Sequence, residues 1–199
     1  MPSVQALGVS RPLTSLLLSA LLAIAPLHAL NADDTSDVRA QAGARMFRAL
    51  LNVDLDIEKK TVDKNQLLIV FVYTDDKTHA ADLAARFVGD AKDGGAIHGL
   101  PVVTELSPDA ALGAYKSRVP AGIFLAQAPP NPNALRTLIR YGIEHHVIVY
   151  SPFEGHVEQG VLGGLAVEAQ VRPYVNLTTL AASNINLKQL IFKVTKVTR

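Results

Sequence analysis

The residues best placed to do chemistry are the polar groups that follow apolar runs. Thr74, Asp75 and Asp76 close one run, Gln127 closes another, and Ser151 and Glu154 follow a third. Carboxylates, an amide and a hydroxyl at such positions fall on the carboxyl rim of an open α/β sheet, where ligands bind. Asp75, Asp76, Gln127, Ser151 and Glu154 are therefore the candidate ligand-binding residues. A plainer reading is preferred: Asp75 and Asp76 cap a helix, and Ser151-Pro152 makes a turn. Ser151 precedes proline rather than standing in a Gly-x-Ser-x-Gly elbow, so it is no nucleophile candidate. His145, His146 and His156 with Glu154 and Glu158 offer metal-ligand types. Adjacent histidines on a strand face opposite ways, which leaves too few ligands for a metal. Gly160, Gly163 and Gly164 open no helix and precede no Lys-Ser/Thr, so they predict a hairpin rather than a phosphate loop. No catalytic residue, metal or cofactor is expected.

The element that must position these groups is Leu67–Tyr73, seven apolar residues without alternation. It predicts a strand buried on both faces, central to a parallel sheet. A helix over Thr35–Leu51 precedes it, with Ala42, Met46, Ala49, Leu50 and Val53 on one face and Asp33 to Ser36 as cap. The charged stretch Leu55–Gln66 reads as a surface connection. Ala80, Leu83, Ala84, Phe87 and Val88 mark a helix ended by Gly89.

Asp93-Gly94-Gly95 predicts a turn, and Gly99–Leu106 a strand whose proline suits an edge. Ser107-Pro108 predicts a helix start running to Tyr115. Ala121–Ala126 is the next strand. Asn131-Pro132 starts a helix carrying Leu135, Leu138 and Ile139 and ended by Gly142, and His146–Tyr150 is a further strand. Strands alternating with helices imply a parallel sheet. Val161–Val167 and Gln170–Leu177 then predict an antiparallel hairpin. Leu187, Leu190, Ile191 and Val194 predict a closing helix over Leu187–Val197 that packs back on the sheet.

Arg11 is the only charge before Asp33. It precedes the apolar Leu13–Ile24, then Pro26 and small residues at Ala29 and Ala32, which is the pattern of a secretory leader. Pro26 and His28 break the run below the ~20 residues of a membrane span. Residues 1–32 are thus expected to be a cleaved signal, with a mature start at Leu30 or Asp33 and a periplasmic destination. Residues 33–199 form one expected domain. Loss of Arg11 lowers the 19 basic residues to 18, matching the 18 acidic ones. A balanced chain lacks the positive footprint of a nucleic-acid binder. It has no cysteine, hence no disulfide.

Several stretches resemble one family. They are His98-Gly99-Leu100-Pro101-Val102-Val103, then Ser151-Pro152-Phe153 with Gly160 ahead of the hairpin, Tyr174-Val175-Asn176-Leu177, Ala181-Ala182 and Ile185–Phe192. Together these are similar to the YfiR/HmsC-type periplasmic family. The aromatic pattern usual after that family's first helix is replaced here by Leu51-Asn52-Val53-Asp54. The resemblance implies a Rossmann-like three-layer sandwich, with a mostly parallel sheet, a C-terminal antiparallel hairpin and a terminal helix. It implies a non-enzymatic regulator that restrains a membrane-anchored diguanylate cyclase by acting on its periplasmic sensor domain. The oligomeric state is left open, a homodimer included. The alternative is a small solute-binding component of a transport system, although 167 residues without a linker scarcely provide two lobes around a cleft.

Overall fold

The computed structural model describes residues 32–89 and 95–199, with side chains from Asp37 onward. The expected leader falls outside them except for Ala32, and the turn at Asp93-Gly94-Gly95 except for Gly95. Among the described residues no helix is long and apolar enough to cross a membrane.

The chain is an α/β protein of three layers. Its strands are β1 (Thr61–Val62), β2 (Gln66–Val72), β3 (Val102–Ser107), β4 (Gly122–Leu125), β5 (Ile148–Ser151), β6 (Gly163–Val167), β7 (Val171–Asn176) and β8 (Lys196–Thr198). Its α-helices are α1 (Ala32–Asn52), α2 (Lys77–Gly89), α3 (Pro132–His145) and α4 (Leu177–Ala182). The sheet runs β3-β2-β4-β5-β6-β7-β8, with β1 folded against the start of β2. β3, β2, β4, β5 and β6 are parallel. β7 runs against β6 as the expected hairpin, and β8 is parallel to β7.

β2 lacks alternation because both its faces are covered. Leu67, Ile69 and Phe71 meet α1 and α2, whereas Leu68, Val70 and Val72 meet α3. Phe47 on α1 lies at the centre of the first layer, with ring centroids 5.7 Å from Phe87, 5.7 Å from Phe124 and 5.4 Å from Tyr150. α1 starts at Ala32, so the expected cap residues Asp33–Ser36 lie inside it. Its buried stripe is Ala40, Ala44, Phe47, Leu50 and Leu51, not the stripe of Ala42 and Met46. The bulky Phe47 sets the rotation, since a large aromatic ring contributes most to burial. The charged connection Leu55–Gln66 is more structured than expected: it buries Ile57 and includes β1.

Glycines let the layers approach. A Cβ on Gly163 would stand 2.8 Å from Leu50 and 2.9 Å from Tyr150, and one on Gly164 would stand 2.9 Å from the Ser151 carbonyl. The pair Gly163-Gly164 is thus a place of close contact on both faces of β6, and not a ligand loop.

Three expected elements differ. Ser107 ends β3, and Ser107–Tyr115 forms turns with a 3-10 segment only at Gly113–Tyr115. Asp109 ties the turn, its carboxylate accepting from the backbone N–H groups of Ala111 at 2.8 Å and Gly113 at 3.3 Å. Leu112 is left-handed at φ 54°, which no continuing helix permits. α3 passes through Gly142 and stops at His146, itself left-handed at φ 56°. Gly142 stands where a Cβ would come 2.6 Å from Val149. The closing helix is absent: Gln189–Lys193 is 3-10, and Lys196–Thr198 pairs with β7. Leu187 is buried, but Leu190 is 69% exposed and Val194 56%. The free edge of β7 offers backbone partners that a helix over this stretch would leave unused.

Candidate functional site

The carboxyl ends of β2 and β4 bring Asp75, Asp76 and Gln127 together. They line a cavity of about 520 Å³ with Asp37, His79 and Phe153. Gln127 Oε1 accepts three backbone N–H groups, from Thr74 at 2.8 Å, Asp75 at 3.1 Å and Asp76 at 3.0 Å. Its Nε2 donates to Asp75 Oδ1 at 2.7 Å. Successive N–H groups converging on one point form an anion cradle. Here the chain's own amide oxygen fills it. Asp76 Oδ1 accepts from the His79 N–H at 2.8 Å, which caps α2. The rim residues thus satisfy one another, as capping and turn formation require.

Ser151 and Glu154 do not join them. Ser151 ends the neighbouring strand β5 on the same edge of the sheet but is fully buried. Glu154 is exposed and borders a separate cleft with Arg39, Glu158 and Lys196. Ser151 is the last residue of β5, whose four residues are all buried, and its side chain is held by the following loop that carries Glu154 outward.

There Ser151 Oγ lies 2.8 Å from His156 Nδ1 and accepts from the Phe153 N–H at 3.2 Å. The Phe153 N–H and the His156 ring thus hold the Ser151 oxygen from two sides. A serine hydroxyl within hydrogen-bond reach of an imidazole is the pair from which an activated nucleophile is built. Ser151 is fully buried, and the contact ties the end of β5 to the loop that follows it. The sequence paired His156 with metal ligands rather than with Ser151. Their spacing of five residues across a turn holding Gly155 was the available clue.

Burial lowers the His156 pKa below the ordinary value of 6.5. The folded state then binds its proton less readily than the unfolded one. The stabilisation is full above the unfolded value and is lost as pH falls below it toward the lowered folded value. Stability is therefore expected to decline with acid from about pH 6.5. His156→Gln, which does not titrate, is expected to flatten that part of the curve. Urea unfolding at a series of pH values checks it, and an unchanged slope would assign the loss to other groups.

The histidines do three separate jobs. His145 packs on Tyr141 with ring centroids 4.3 Å apart, and His146 Nδ1 donates to the Ser183 carbonyl at 2.8 Å. Both belong to the end of α3 rather than to a strand. Among the described residues no group of three His, Cys, Asp or Glu side chains could hold a metal ion. Sequence reasoning also missed Asp37 and His79, whose side chains meet at 3.3 Å and join α1 to α2 beside the rim. His79 lies in the first turn of the helix that Asp76 caps, and that position was the signal for it.

No family model matches the chain, and no curated protein matches it. Solved structures do. One is an ABC domain in complex with L-Trp from Streptococcus pneumonia, 13% identical, with a TM-score of 0.52 over 80% of this chain and 60% of that one. Another is a conserved domain protein from Vibrio cholerae O1 biovar eltor, 15% identical, with a TM-score of 0.48 over 72% of this chain and 60% of that one. The chain spans about 60% of the length of each. At that identity the first likeness establishes the fold: this chain shares the α/β architecture of that domain.

Proposed function

We propose that the chain is a non-enzymatic binding protein of the periplasm that restrains a membrane-anchored signalling protein, of the diguanylate cyclase type, through its periplasmic sensor domain. The observation that carries this is the self-satisfied rim. Gln127 occupies the N–H cradle and Asp76 caps α2, while the side-chain contact between Ser151 and His156 has its serine fully buried. A site built for chemistry would aim unpaired groups at a substrate. The leader pattern at 1–32 and the resemblance in Val175–Phe192 supply the compartment and the kind of partner.

A second reading has one observation in its favour. A rim cavity of about 520 Å³ falls in the range of small-molecule sites, and the Streptococcus domain of the same fold is described with bound L-Trp. A solute-binding component would use that cavity. Thermal melts with amino acids separate the two readings, because a rim-bound solute raises the melting temperature and a contact regulator shows no such shift.

Deletion tests the first reading. A partner held inactive by binding is released when the binder is lost, so cyclic di-GMP is expected to rise in the deletion strain. Complementation by the whole chain is expected to restore it, and protein lacking residues 1–32 is not. Unchanged cyclic di-GMP, or rescue by the cytoplasmic form, would overturn periplasmic restraint.

A further inference from the structure

Away from the rim, α1 and α2 enclose a groove of about 250 Å³ on the outer face of their layer. Ala44, Leu83 and Phe87 form its apolar floor, and Arg45, Arg48 and Arg86 stand around it. The Arg48 guanidinium is fixed in place, donating to the Phe87 carbonyl at 3.1 Å and the Ala96 carbonyl at 2.7 Å, and lying 5.3 Å over the Phe87 ring. Arg45 and Arg86 are exposed, and among the described residues neither forms an ion pair. Other guanidiniums do so: Arg118 meets Asp63 and Glu105, and Arg172 meets Glu168.

We infer that this groove docks an acidic segment of the protein partner, one apolar side chain entering the notch while flanking carboxylates meet Arg45 and Arg86. The inference rests on the contact reading above and names its surface. Charge complementarity selects the chemistry, because the guanidinium fork matches a carboxylate in two parallel hydrogen bonds. The chain outside the leader is charge-balanced, so the attraction is local to this groove. Size selects a polypeptide over a free small molecule. The volume is below the ~300–1,000 Å³ that encloses a small ligand, yet it accommodates a side chain presented by a segment lying along two helices.

The test uses the purified full chain and a fluorescein-labelled peptide, acetyl-Glu-Glu-Leu-Glu-Glu-Leu-Glu-Glu-amide, read by fluorescence anisotropy. Its counterpart with Gln for every Glu, and hexanoate as a competitor, complete the set. Saturable binding of the acidic peptide is expected, with none for the Gln peptide. Arg45→Gln with Arg86→Gln is expected to weaken it at least about tenfold at an unchanged melting temperature, as loss of charge-assisted bonds at an exposed site implies. Equal binding of the Gln peptide, unaltered binding by the double variant, or displacement by hexanoate at matching concentration would each overturn the inference. In cells the two claims separate. If deletion raises cyclic di-GMP and the double variant restores it fully, the groove is refuted and the contact reading stands. If deletion changes nothing, the contact reading falls, and the peptide measurement still decides the groove.

Discussion

Replacing Phe47 with alanine is expected to lower the free energy of unfolding by about 3–5 kcal/mol, the range for deleting a buried aromatic ring. Phe47 is fully buried between α1 and the sheet. Its ring lies over Gly122 of β4, where an added Cβ would stand 2.7 Å away. A glycine beneath the ring has no side chain to move into the space. Phe124 and Tyr150 are stacked on each other at 5.8 Å and cannot tilt in without breaking that contact. The cavity therefore stays open, and the upper part of the range applies. Equilibrium urea unfolding followed by circular dichroism measures it. Leu190→Ala is the control, because Leu190 is 69% exposed and opens no cavity. A loss below about 1 kcal/mol for Phe47→Ala would mean that α1 is not pinned through this ring.

The second large effect is electrostatic. Asp54 is fully buried, and its carboxylate has two partners: Lys60 Nζ at 2.6 Å from Oδ2, and the Asp56 N–H at 3.0 Å from Oδ1. Lys60 is only 15% exposed at its side chain. Lys60→Met leaves a buried carboxylate without its cation, and about 3–5 kcal/mol of destabilisation is expected. Combining it with Asp54→Asn is expected to recover part of that loss, since no stranded charge remains. The pair should also resist screening, so the single variant's deficit is expected to persist in 1 M salt. By contrast, Lys59 and Asp56 form an exposed contact, with the lysine side chain 80% accessible, whose contribution is small. Additive single and double variants would show that Asp54 and Lys60 act independently, contrary to this account.

The sequence carried the sheet better than its flanks. β2 announced itself because burial on both faces demands an unbroken apolar run, and Asn131-Pro132 announced α3 because Asn131 accepts from the Ala134 N–H at 3.0 Å. Misreadings arose where a local signal had a second physical cause. Gly142 has the composition of a helix stop, but it serves close packing on Val149. Ser107-Pro108 resembles a helix start, but Asp109 closes a turn two residues on. Leu187, Leu190, Ile191 and Val194 keep helical spacing, yet the edge of β7, about twenty residues earlier in the chain, draws Lys196–Thr198 into the sheet. At the rim, proximity to strand ends correctly gathered Asp75, Asp76 and Gln127. It could not tell that Ser151 turns inward while Glu154 faces another cleft.

The central claim is that the chain acts by contact and not by chemistry. Its sharpest test removes the side-chain contact between the buried Ser151 and the half-buried His156 while leaving the rim residues and the arginine groove in place. Protein carrying Ser151→Ala and His156→Gln, confirmed as folded by its melt and as exported by fractionation, is returned to the deletion strain and cyclic di-GMP is measured. Contact predicts that cyclic di-GMP falls to the parental level, as it does with the unaltered chain. A folded, exported double variant that leaves it at the deletion value would contradict the account and make Ser151 and His156 functional residues.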